Sequence, residues 1–248
     1  MRKLIAVFVL LFPLAAFAQE PDYSQWNRIL ATYYDPARGM DYKNLKARDA
    51  TALQTLRQQL GRVNVASMNP KQQLAYWMNV YNVNVVSTVV EKYPVDSIRD
   101  ISTDPLIRLN VFKKERVPFG KELLSLDDVE HKKIREQFKD ARIHFAVNCA
   151  AKSCPPIRTE AYVGARVDAQ LDDQVRRFLT GPYGARFRRD GDELTVKLTK
   201  IMDWYGDDFD KWAGGRVNFV RKYVTVPAAK EVEVEYDDYD WDLNDWKR

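Results

Sequence analysis

The chain has 248 residues, 46% of them hydrophobic and 30% charged, with a formal net charge of +4. That length suits one domain or two small ones and is enough to bury a substantial core. Lys and Arg are interleaved with Asp and Glu along most of it, which makes a mixed solvated surface and excludes the clustered basic stripe that nucleic-acid binding needs.

Arg2 and Lys3 precede an apolar stretch from Leu4 to Phe17 broken only by Pro13, and Ala16-Phe17-Ala18 then meets the polar Gln19-Glu20. A charged start, a short apolar run and an A-x-A site are the parts of a cleavable signal peptide, and the run falls short of the roughly 20 residues of a spanning helix. The expectation is export, with cleavage after Ala18, a periplasmic or secreted mature protein and no transmembrane segment after cleavage. No linker splits what remains and no repeat recurs at solenoid spacing. Residues 19–224 are therefore expected to form one globular domain, followed by an acidic aromatic extension over 225–248.

Trp26, Ile29, Leu30 and Tyr33 recur at helical spacing, and a second helix from Asp49 places Leu53, Leu56 and Leu60 on one face before Gly61. A third is capped by Asn69, takes Pro70 in its first turn and runs to Tyr93 before Pro94. One of its faces carries Leu74, Trp77, Met78, Tyr81, Val85 and Val89, yet the other faces are apolar too. Such a helix belongs at the centre of a domain, so Asn79 and Asn82 should point inward and need partners, either as amides tying loops to the core or as members of a site.

Ile107 to Phe112 and Arg116 to Phe119 read as a hairpin, with Pro118 weakening its second strand. Ser125-Leu126-Asp127-Asp128 is a capping box opening a helix to about Phe138, on which His131 shares an inward stripe with Ile134 and Phe138. Arg142 to Asn148 alternates Ile143, Phe145 and Val147 against His144, Ala146 and Asn148, which predicts a central strand ending at Cys149. The loop Ala150 to Pro156 would then lie outside the carboxyl end of a strand, where α/β folds place ligands. Asn148, Ser153, Cys154 and Pro155 are its candidate substrate-binding residues.

Val167, Leu171, Val175 and Phe178 mark a further helix, and Arg186 to Arg189 with Leu194 to Leu198 mark a hairpin around Asp190-Gly191. Helical pieces around Trp204 and from Val217 to Tyr223 follow. Glu231 to Asp245 carries eight acidic residues and no basic one. Its first part alternates like an edge strand, and Tyr236, Tyr239, Trp241 and Trp246 predict that the tail docks on the body. The fold expected is α/β of the α+β kind: a buried central helix packed on a small mixed sheet, with the acidic aromatic tail docked.

These segments together resemble the bacterial branch of the domain of unknown function 547 family. The matching residues are Trp77, Asn79, Tyr81 and Asn82, then Glu130-His131 with Ile134-Arg135, Arg142 to Ala146, and the block Asn148-Cys149-Ala150-Ala151-Lys152-Ser153-Cys154-Pro155. Trp204-Tyr205 with Asp208-Phe209 and Tyr239 to Asn244 extend the likeness, Asp242 standing where the pattern has Ser. The resemblance implies Ser at the second cysteine position in related members, which turns attention to Cys149. It implies no chemistry, since the family is named for an unassigned function.

A cysteine-dependent hydrolase or acyl transferase needs a thiolate, a histidine to take and return its proton, and a polar group to hold the ring. Cys149 is the candidate nucleophile, with His131 and His144, the only histidines of the chain, as candidate bases and Asn79, Asn82 or Glu130 to orient a ring. On an extended strand His144 would stand roughly 16 Å from Cys149 at about 3.3 Å per residue, which favours His131. The alternative is a noncatalytic envelope module binding a protein, peptide or glycan through residues 149–156, stiffened by a Cys149–Cys154 disulfide. Neither zinc spacing, a C-x-x-C redox pair nor a glycine-rich phosphate loop occurs, so no metal and no cofactor is expected.

Overall fold

The computed structural model describes residues 19–101 and 110–246. The expected signal peptide, and the start of the expected hairpin at Ile107, lie outside the described residues.

Helix α1 (Ser24–Tyr33) leads through the two-residue strands β1 (Tyr34–Asp35) and β2 (Gly39–Met40) into α2 (Tyr42–Gly61). Helix α2 begins earlier than its apolar stripe suggests, because Asp41 accepts from the backbone N–H of Asn44 and caps the start; a kink at Asp49 joins the two parts. Helix α3 (Pro70–Lys92) starts as expected: Asn69 accepts from the Gln72 N–H while Gln72 accepts from the Asn69 N–H. Every residue from Leu74 to Val90 is buried. Around α3 pack α2, the helix that follows Asp127, and α5 (Val167–Leu179).

The hairpin is β3 (Glu115–Phe119) with β4 (Glu122–Ser125), one step downstream of the expected one. Its turn is made at Gly120, whose φ of +61° suits glycine, and Val111–Lys113 forms a single 3-10 turn instead of a strand. With only one partner strand, Pro118 is tolerated in β3. Ser125 and Asp128 then exchange capping hydrogen bonds, and bonds from Lys132 and Ser125 hold the Asp128 carboxyl down at about 2. The helix they open is wound as a π-helix over Asp128–Arg135 and closes as α4 (Glu136–Phe138), with Lys139 left-handed at its end.

The expected central strand is absent. Ala141–Phe145 is a 3-10 turn, capped where Asp140 accepts from the Arg142 N–H. All of Ile143 to Asn148 is buried, so the apolar alternation reflected burial on every side and carried no strand signal. This turn joins two apolar clusters: Ile143 packs in the one built on α1, α2 and α3, while Ala141 and Phe145 pack in a second with Phe178, Phe209 and Phe219.

The second cluster underlies a three-stranded sheet. Strand β6 (Glu193–Leu198) pairs antiparallel with β5 (Arg186–Asp190) and parallel with β7 (Glu231–Tyr236), which makes the sheet mixed and β7 an edge. Helices α6 (Lys200–Trp204), α7 (Gly206–Ala213) and α8 (Arg216–Arg221) lie between β6 and β7. After β7 the tail returns to the first cluster, where Leu243 is 3% exposed. The α/β architecture of helices with small sheets, a buried central helix and a docked aromatic tail is as the sequence predicts, but α3 packs among helices and the mixed sheet covers the second cluster, not the central helix. No helix among the described residues is long and apolar enough to cross a membrane.

Candidate functional site

Residues 148–155 form a loop held at both ends by one side chain. Asn148 accepts from the Ala150 N–H at 2.8 Å and donates to the Pro155 carbonyl at 2.7 Å. Its own N–H donates to Asn82 at 2.9 Å, and Asn82 donates to the Ala146 carbonyl at 2.9 Å. Asn82 thus anchors the loop to the central helix. Asn79 gives both polar ends to the backbone of Tyr162, at 2.8 and 2.9 Å, and takes no part in this loop. Both asparagines are buried amides tying chain to core, so neither is left to orient an imidazole.

Ala150 follows Cys149 with φ at +62°, a left-handed conformation that costs a residue with a Cβ about 1 kcal/mol. The surroundings over-determine it: its N–H is bound by Asn148 and its carbonyl accepts from the Asn244 N–H at 2.9 Å. Ser153 is spent in the same way, since it exchanges hydrogen bonds with the backbone of Asp240. Asn148, Ser153, Cys154 and Pro155 are all buried, and in this arrangement they shape the loop.

Cys149 and Cys154 are free thiols. The Cys149 N–H donates to Cys154 Sγ at 2.9 Å, and Cys154 Sγ in turn lies 3.8 Å from the Val147 carbonyl. Cys149 Sγ is 3.1 Å from the Tyr239 hydroxyl. Burial pushes the Cys149 thiol up, but hydrogen bonds from Cys154, from Tyr239 and from the Ala151 N–H outweigh it and leave its pKa lowered. Burial and the neighbouring Cys149 push Cys154 well up, so Cys149 is the member of the pair that ionises.

A cavity of about 190 Å³ is lined by Cys149, His131, His144, Glu130, Tyr205 and Tyr239, among others. The wound segment, in place of a strand, brings His144 to it, so the separation reckoned for an extended chain does not apply. His144 is 2% exposed, stacks on Tyr205 at 4.0 Å and bonds Asp208 through Nε2 at 2.8 Å. With Nε2–H donated to the carboxylate, Nδ1 is the basic nitrogen, and it is buried without a hydrogen-bond partner. Burial raises the Asp208 carboxyl, yet hydrogen bonds from His144 and Arg135 win and hold it far below the usual carboxylate range.

His131 has a looser version of the same arrangement: Nδ1 is buried without a partner, but the side chain is 32% exposed and Nε2 stands 3.6 Å from the Asp127 carboxylate, beyond hydrogen-bond distance. Neither histidine is hydrogen-bonded to Cys149; all three line the same cavity. Glu130 faces that cavity and accepts the Tyr205 hydroxyl at 2.6 Å. Among the described residues no group of three or more His, Cys, Asp or Glu side chains is arranged to hold a metal ion.

The comparison with known families meets this geometry on the central helix and the cysteine loop. Residues 65–179 match the model of the family described as Protein of unknown function, DUF547. The resemblance read from the motifs between Trp77 and Pro155 is thereby shown. The DUF547 match spans α3, both histidines, both cysteines and α5, whereas Tyr205, Asp208 and Tyr239 lie beyond its end. No curated protein and no solved structure matches the chain.

Those three residues are what reasoning from sequence missed. Tyr205 and Asp208 stand in motifs that carry the resemblance, but a lone Tyr or Asp has no spacing that signals its chemistry. Only packing of α7 against the 141–145 turn reveals Asp208 as the histidine's partner.

Proposed function

We propose that the protein is an exported cysteine-dependent hydrolase or acyl transferase in which Cys149 is the nucleophile and His144, oriented by Asp208, is the general base. The observation that carries this reading is the shared cavity. One wall presents a thiol with lowered pKa, and another presents a buried imidazole with a carboxylate on one nitrogen and nothing on the other. A substrate carbonyl entering between them would bridge the gap that separates thiol from ring, as catalytic contacts often tighten only in the complex.

In that reaction His144 takes the Cys149 proton and the thiolate forms a C–S bond to the carbonyl carbon as the π pair moves to oxygen. Collapse expels an amine or alkoxide, which leaves with the imidazolium proton. Water or another acceptor then attacks the thioester, giving its proton to His144 and releasing the thiol. His131, the base favoured by an extended-strand geometry, yields that role to His144 because its carboxylate neighbour Asp127 is 3.6 Å away and half-exposed, whereas Asp208 holds the buried His144 ring at 2.8 Å. A peptide or glycan of the cell envelope is the substrate class consistent with export directed by residues 1–18.

The test is incubation of the mature protein with p-nitrophenyl acetate, followed by peptide mass spectrometry. The expected result is an acetyl thioester on Cys149, lost in Cys149→Ser and formed at least about a hundredfold more slowly in His144→Gln. Release of p-nitrophenol no faster than from Cys149→Ser, with no adduct, removes the enzyme reading. A noncatalytic envelope binding module is the second reading: the expected Cys149–Cys154 disulfide is not formed in this structure, where both are free thiols, but their side chains are in hydrogen-bond contact, which favours a bridge on oxidation. Thiol titration of the folded unreduced protein separates them, with two thiols for the enzyme and none for the bridged module.

A further inference from the structure

The reading of Cys149 as a nucleophile leaves one neighbour unexplained, a tyrosine from the far end of the chain. Resting on that reading, we infer that Tyr239 belongs to the reactive centre: its hydroxyl donates to Cys149 Sγ and holds the thiolate, so the C-terminal tail completes the site. The contact is 3.1 Å. Its geometry is built from both sides. Before Tyr239, the Asp237 N–H is bound by the Leu198 carbonyl at the end of the sheet; after it, Asp240 exchanges bonds with Ser153 inside the cysteine loop.

Further along, the Lys152 N–H donates to the Asp242 carbonyl, the Leu243 N–H to Asp96 and the Asn244 N–H to Ala150, and Leu243 is buried. The Tyr239 ring itself is wedged between Trp204 at 4.8 Å and Trp241 at 4.7 Å. A hydroxyl so bracketed is delivered to the sulfur by the backbone on either side of it. Burial and the two adjacent cysteines push the Tyr239 pKa far up, so the phenol keeps its proton and remains a donor when Cys149 ionises. The tail is drawn to this place by apolar burial and backbone pairing, which explains why an acidic segment lies against a thiolate.

The experiment needs no substrate. The mature protein and Tyr239→Phe, which keeps the ring and its packing, are alkylated with iodoacetamide across pH, and the Cys149 adduct is quantified by peptide mass spectrometry. Thermal unfolding of both proteins establishes that the variant is folded. The expected result is a Cys149 midpoint below the ordinary thiol value of about 8.5 in the parent, raised by about one pH unit in Tyr239→Phe. At a pH below both midpoints that is about a tenfold slower reaction.

A low midpoint that is the same in both proteins overturns the role of Tyr239 and leaves the nucleophile standing. A parent midpoint at the ordinary value overturns the nucleophile, and this inference with it. Faster labelling of Tyr239→Phe at every pH with an unmoved midpoint makes the tyrosine a cover over the thiol and also overturns the inference.

Discussion

At the residue scale, one carboxylate serves two partners. Asp208 accepts both a forked pair of bonds from Arg135 and the His144 Nε2–H. Replacing it by Asn should cost about 1.5–3 kcal/mol at neutral pH, the range for hydrogen bonds to charged groups, measured by urea unfolding. The folded carboxyl titrates below the unfolded one, so its contribution is complete above roughly pH 4 and disappears as pH falls through the folded value. The gap between parent and Asp208→Asn should therefore close on acidification; a constant gap would mean that the charge plays no part.

Ala150 sets two effects against each other. Glycine would relieve the left-handed conformation at φ +62°, worth about 1 kcal/mol, but would remove a methyl group buried in the first cluster, worth about 0.8 kcal/mol, so Ala150→Gly should change stability by under about half a kcal/mol. A loss above about 1 kcal/mol in urea unfolding would count against strain at this position.

At the scale of elements, α3 is a buried post to which loops are tied by amides. Asn82 and Asn79 do the same work at different places, the first on the cysteine loop and the second on Tyr162. Each change to Ala leaves buried backbone groups unpaired and should cost about 1–3 kcal/mol. Only Asn82→Ala should also change the iodoacetamide profile of Cys149, because only Asn82 bonds the residue before it. Equal effects on the profile from both variants would show that the loop senses general loosening of the core.

The capping residues of α3 and of the π-helix were legible in the sequence because N-caps are local: Asn69 with Gln72, and Ser125 with Asp128, settle within four residues. The 141–148 segment was illegible for the contrary reason. Its hydrophobic pattern is produced by two cores meeting on it from opposite sides, and no local period encodes that.

At the scale of the whole molecule, the chain closes on itself through its tail. Leu243, near the C-terminus, is buried in the cluster built on α1, α2 and α3, and Leu243→Ala should cost about 2–4 kcal/mol in denaturant unfolding. A change under half a kcal/mol would mean that the tail is dispensable to the fold. The tail's ion pairs are a weaker tie: Lys152 with Asp242 and Lys197 with Asp237 lie at a surface where screening leaves such pairs about 0–1 kcal/mol. Docking should therefore survive high salt.

Composition and local pattern determined the helices, the caps, the mixed surface, the edge strand and the docking of the aromatic tail, because those depend on periodicity and on neighbours a few residues apart. They also singled out the cysteine loop and both histidines. Which histidine has a carboxylate, which asparagine holds the loop and which hydroxyl meets the sulfur were decided by tertiary structure alone. Asp208 and Tyr239 lie 64 and 90 residues from the groups they touch. Contacts at that separation follow from how two apolar clusters pack around one 3-10 turn, and packing of that kind leaves no local trace in the chain.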